Sequence, residues 1–161
     1  MRKTLIVLLV FVFLLSACQL KSEDINDSVT FYYIRSEFEY FSTDGIIASE
    51  QRDASGHRND LAYLMAMYMM GPSEEGLQSP LPKEVILLNA METDDGVILN
   101  ISNHETMSDA SFSLSCACLA LTCFDITDAP SVTVTSGDRS ITMDRNTISL
   151  YDNSLTAEES P

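Results

Sequence analysis

Two hydrophobic periods alternate along this chain. Leu61, Leu64, Met65, Tyr68 and Met69 fall at i, i+3, i+4, i+7 and i+8, the inward stripe of an amphipathic helix. Ala62, Ala66, Met67 and Met70 make its other faces apolar as well, so this helix is expected to be covered on several sides. Asn59 or Asp60 is the candidate N-cap, because a short side-chain oxygen there satisfies a free backbone N–H. Gly71 suits the left-handed position after the last turn, and Pro72 forbids continuation. A second helical pattern follows the Thr106-x-x-Asp109 spacing and runs to about Phe124. Phe112, Cys116, Leu119 and Cys123 form one stripe of it, and Leu114, Cys118 and Leu121 another. Its serines are expected to return their hydroxyls to backbone carbonyls.

The period-two stretches predict strands. Residues 29–35 (VTFYYIR) are β-branched and aromatic, and residues 46–52 (IIASEQR) read as an edge strand. Residues 85–91 (VILLNAM) and 97–101 (VILNI) flank Thr93-Asp94-Asp95-Gly96, the turn of a hairpin. Val132 and Val134 alternate with threonines as a further core strand, Ile141 and Met143 suggest a short one, and Ile148 with Leu150 a last apolar patch. The order strand, helix, hairpin, helix, strand predicts an α+β fold, a small mixed sheet with the two helices packed on one face. One domain is expected over residues 29–150, and residues 151–161 read as an acidic disordered tail.

The N-terminus has a different pattern. Arg2 and Lys3 precede an unbroken apolar run over residues 5–15, shorter than the roughly 20 residues that span a bilayer as a helix. Leu15-Ser16-Ala17-Cys18 resembles the bacterial lipobox. The resemblance implies a signal peptide over residues 1–17, removed before Cys18, and a lipid (palmitate or a similar acyl chain) on that cysteine. Residues 18–28 would tether the domain to the extracytoplasmic face of a membrane, anchored to it and not spanning it.

Charge narrows the partners. The 161 residues carry 24 acidic and 9 basic side chains, a net charge of −15, and the signal would take two of the basic residues with it. Such acidity argues against nucleic acid and against an anionic lipid surface as ligand. Cys116, Cys118 and Cys123 lie on one predicted helix. Cys116 and Cys123 are separated by about 10 Å along its axis, beyond disulfide reach, so all three read as small buried apolar residues. A zinc site built from His104 and these cysteines ranks well below that reading, since a helix splays their sulfurs. His57 and His104 sit in polar loops without a nucleophile elbow. Met65, Met67, Met69 and Met70 read first as core, second as a partner-binding face, and a distant third as a copper site. Glu74-Glu75 and Asp94-Asp95 read as solvated turns. No catalytic residue, metal ligand or bound cofactor is expected.

Residues 60–82, with LAYLMAMYMMGPSEEGLQSPLP at their centre, resemble the helix and loop of the GerMN domain, the sporulation and spore germination domain of spore-forming bacteria. Leu64, Gly71, Pro72, Gly76, Leu77, Ser79, Leu81 and Pro82 stand where that pattern has them, and Gly96 begins a matching strand in which Asn100 replaces an Asp. The resemblance covers roughly residues 29–143. It implies a non-enzymatic lipoprotein of the cell envelope, an assembly module that associates with itself or with an envelope protein. A peptidoglycan-binding module unrelated to sporulation is the alternative.

Overall fold

The computed structural model describes residues 27–37, 45–103 and 107–148. Nine elements follow one another: β1 (Ser28–Arg35), β2 (Ile47–Asp53), α1 (Leu61–Met69), β3 (Leu77–Gln78), β4 (Leu87–Thr93), β5 (Gly96–Ile101), α2 (Asp109–Ile126), β6 (Ser131–Ser136) and β7 (Arg139–Asp144). The α+β class and the mixed sheet stand as expected. The strands divide into two sheets, however, where one was expected. One is antiparallel in the order β2-β1-β3, and the other has the order β4-β5-β6-β7. Within the second sheet β5 and β6 run parallel, with α2 as the crossover, and the other pairs are antiparallel.

The helices join the two sheets. α1 packs on β4, and α2 packs on β6 and β7 with one side and on β1 with another. That double contact explains the burial of α2: Phe112, Cys116, Cys118, Leu119, Ala120, Cys123 and Phe124 are all buried, around most of its circumference. It is long and apolar enough to cross a membrane, but here it is the core helix. On the four-stranded sheet Val97, Leu99, Ile101, Val132 and Val134 face the helices, in the alternation that one covered face imposes. Each buried side chain of this size contributes about 1.5–3 kcal/mol.

β1 is held on both sides by different means. β2 pairs along its length, while β3 reaches only Ile34 and Arg35. Farther along that second side, Thr122 Oγ1 accepts from the Tyr32 N–H at 3.0 Å and Asp125 Oδ2 accepts from the Thr30 N–H at 2.8 Å. The Tyr68 hydroxyl donates to the Tyr32 carbonyl at 2.9 Å. Helix side chains thus finish a ladder that a third strand leaves incomplete, which a partly buried edge requires.

The hairpin turn is built at Gly96. Its φ is +146°, and a Cβ there would lie 2.4 Å from the Ser131 carbonyl oxygen. β5 and β6 can therefore start side by side only because this residue has no side chain. The second helix begins at Ser108, whose Oγ accepts from the Ser111 N–H at 3.1 Å. The expected Thr106 start lies outside the described residues.

Candidate functional site

α1 begins as its sequence pattern requires. Asp60 caps it, with Oδ1 accepting from the Tyr63 N–H at 3.0 Å. Leu61, Leu64, Met65 and Tyr68 are buried. Tyr68 stacks on Tyr33 with centroids 4.7 Å apart, and the Tyr33 hydroxyl donates to the Tyr68 carbonyl at 3.1 Å. The expectation that the helix is covered on several sides is not met. Ala62, Tyr63, Ala66 and Met70 are exposed, and Met70 retains 84% of its accessible surface. The reason is tertiary: both sheets approach α1 from the same half of its circumference, and nothing among the described residues covers the other half.

The loop after α1 is fastened at four points. Gly71 takes φ +88°, which reverses the chain after the last turn at a conformation glycine tolerates. The Arg52 guanidinium donates to the Gly71 carbonyl. Glu50, 2% exposed, accepts from the backbone N–H groups of Ser73 and Glu74, both at 2.9 Å, and from Arg52 Nε at 2.7 Å. The Gly76 carbonyl accepts from the Ser36 N–H, and the Pro80 carbonyl accepts from the Ser115 hydroxyl at 2.7 Å. Burial alone would raise the Glu50 pKa; the hydrogen bonds from Glu74, Ser73 and Arg52 outweigh it and hold the carboxyl below its ordinary range. Ser115 Oγ also lies 2.9 Å from the Ser111 carbonyl, so its single proton is shared between the Pro80 carbonyl and the back-bonding expected of the helix serines.

The motif residues therefore serve geometry. Leu64 is fully buried, Leu77 opens β3, and Leu81 is buried. Ser79 Oγ accepts from the Leu81 N–H, turning the chain into Pro82. Gly96 starts β5. Cys18 and His104 lie outside the described residues. Nothing in the sequence pattern singled out Glu50; the only signal was a carboxylate two residues before an arginine on a strand.

Reactive groups are not gathered anywhere among the described residues. His57 is half exposed, stacks on Tyr63 with centroids 4.0 Å apart, and lies 3.8 Å from Asp60. Cys116, Cys118 and Cys123 are free and buried, and burial pushes each thiol up to about 12. Cys123 donates to the Met65 sulfur at 3.8 Å, so both act as packing. Glu74, Glu75, Asp94 and Asp95 are exposed in turns. A cavity of about 200 Å³ lies between the start of α1 and the end of α2, lined by Asn59, Leu61, Glu92, Ile126, Thr127 and Asp128; it has no imidazole or thiol in its wall, and its one hydroxyl, Thr127, donates to the Cys123 carbonyl.

Exposed apolar side chains, by contrast, are found on two elements. Among the described residues the exposed large hydrophobic side chains are Tyr63, Met70, Ile86, Leu88 and Met91. The first two belong to α1 and its cap, the others to β4 and the residue before it. α1 packs on β4, and β4 is the end strand of its sheet. Met91 pairs with Ile98, on the sheet face opposite the helix-facing Ala90 and Leu99, while Tyr63 and Met70 lie on the uncovered side of α1.

No protein-family model matches the chain, and no curated protein matches it. Among solved structures the chain is similar to "Putative Lipoprotein from Clostridium perfringens", with 19% identity over 78% of this chain and 93% of that one and a TM-score of 0.44. It is also similar to the tandem GerMN domains of the sporulation protein GerM from Bacillus subtilis, with 20% identity, a TM-score of 0.48, and 75% of this chain covered. This chain spans 43% of the tandem structure. Both likenesses concern the fold.

Proposed function

We propose that this chain is a lipid-anchored module on the extracytoplasmic face of the cell membrane that docks a protein partner through the exposed apolar side chains of β4 and performs no catalysis. The observation that carries this reading is the exposure of Ile86, Leu88 and Met91 on and beside β4, the end strand of its sheet. Tethering by Cys18 rests on the lipobox, and a role in sporulation or spore germination rests on the motif in residues 60–82. The buried, protonated thiols and the half-exposed His57 favour a binding role over a reaction.

A photo-crosslinking residue placed at Leu88 in the source organism tests this, with Thr142, exposed on β7, as the control position. Leu88 should give a discrete protein adduct that Thr142 does not. Absence of any adduct at Leu88 during both growth and sporulation sinks the docking reading.

A further inference from the structure

We infer that Met91 is a modification site, oxidised by peroxide to the sulfoxide, through which docking at β4 is weakened. This rests on the docking role proposed above and adds the regulation of that surface.

Exposure selects the sulfurs. Among the described residues the exposed methionines are Met70, at 84%, and Met91, at 45%. Met65 and Met107 are buried, and Met67, Met69 and Met143 are partly buried against the core. A peroxide oxidises a thioether where it can reach the sulfur. Cys116, Cys118 and Cys123 do not compete for it, because they are buried and held as protonated thiols, and the thiolate is the nucleophile. The extracytoplasmic location proposed above places the exposed sulfurs in an oxidising compartment.

The two exposed sulfurs stand in different places. Met70 caps the C-terminal end of α1, on its uncovered side. Met91 lies on β4 beside Ile98, on the sheet face turned away from the helices, and shares the docking strand with Leu88. Met70 is therefore an internal reference: it meets the same oxidant away from the docking surface.

The step is a two-electron oxidation of sulfur by a hydroperoxide. The sulfur lone pair attacks one peroxide oxygen, an S–O bond forms and the O–O bond breaks. The transferred oxygen passes its proton to the leaving oxygen, which departs as water. The product carries a polar oxygen where a partner would meet an apolar thioether. Ile98, the cross-strand neighbour, has no side-chain donor to satisfy it. Burying that oxygen without a hydrogen bond weakens docking about ten-fold. Met91 is not part of the core cluster, so the oxidised chain stays folded.

The test has two arms. In the first, the purified full chain is titrated with hydrogen peroxide under native conditions and read by peptide mass spectrometry. Met70 and Met91 should each gain one oxygen before Met65, Met107 or the three thiols react. Oxidation of Met65 or Cys123 at the same dose as Met91 overturns the site. In the second, cells carrying the photo-crosslinking residue at Leu88 are treated with peroxide. The adduct should fall about ten-fold in the otherwise unchanged chain and in Met70→Leu, and persist in Met91→Leu. An equal fall in Met91→Leu, or no fall in the unchanged chain, overturns the regulation and leaves the docking role standing. Absence of the adduct in untreated cells sinks the docking role itself, and the regulation with it.

Discussion

Glu50 is the residue whose position the sequence pattern conceals. It stands in an edge strand between Ser49 and Gln51, both exposed, yet it is almost wholly buried. Its carboxylate fastens the loop that opens with Gly71-Pro72, through Ser73, Glu74 and Arg52. Because its folded pKa is depressed, it contributes stability that is present above the unfolded value of about 4.3 and lost as pH falls through the folded one. Glu50→Gln should cost about 1–3 kcal/mol at neutral pH, since charge-assisted bonds to two N–H groups and a guanidinium are lost. Urea midpoints recorded from pH 7 down to pH 3 should fall more steeply for the wild type than for the variant. Parallel curves would remove Glu50 from the acid response.

At the scale of elements, the decisive feature is how β1 is completed. Hydrophobic alternation shows that residues 29–35 form a strand, but it does not show that β3 is only two residues long. The unpaired side of β1 is finished by Thr122 and Asp125, two helix residues that look like ordinary polar positions in sequence. Thr122→Val keeps the shape and removes the acceptor, leaving the Tyr32 N–H buried without a partner at a cost of about 1–3 kcal/mol. Native-state hydrogen exchange should then quicken selectively at Tyr32. Unchanged exchange there would mean that the strand draws its protection from β2 alone. α1 gives a similar lesson in the opposite direction. Its apolar faces led to an expectation of enclosure, whereas the two sheets cover one half and leave Ala62, Ala66 and Met70 outside. Composition states that a surface is apolar, and only its neighbours state whether it is covered.

At the scale of the whole molecule, the proposed anchor is Cys18. Residues 18–28 can span at most about 3.3–3.6 Å each when extended, so anchoring at Cys18 would keep the domain, with the exposed apolar side chains of β4, close to the membrane and to other anchored proteins. Cys18→Ala should move the protein from the membrane fraction to the soluble one and abolish fatty-acid labelling. Retained label would refute the lipobox reading.

What was legible in the sequence was local. The stripe at Leu61, Leu64, Met65 and Tyr68, the stop at Gly71-Pro72, the hairpin at Thr93–Gly96 and the alternation at Val132 and Val134 all follow from backbone geometry and side-chain period, which adjacent residues determine among themselves. The division into two sheets, the burial of Glu50, the capping of β1 by α2 and the bare side of α1 depend on which elements meet across long stretches of chain. Those meetings are settled by the packing of the whole core, so only the tertiary structure decided them, and with them the exposure of the β4 side chains on which the proposed function rests.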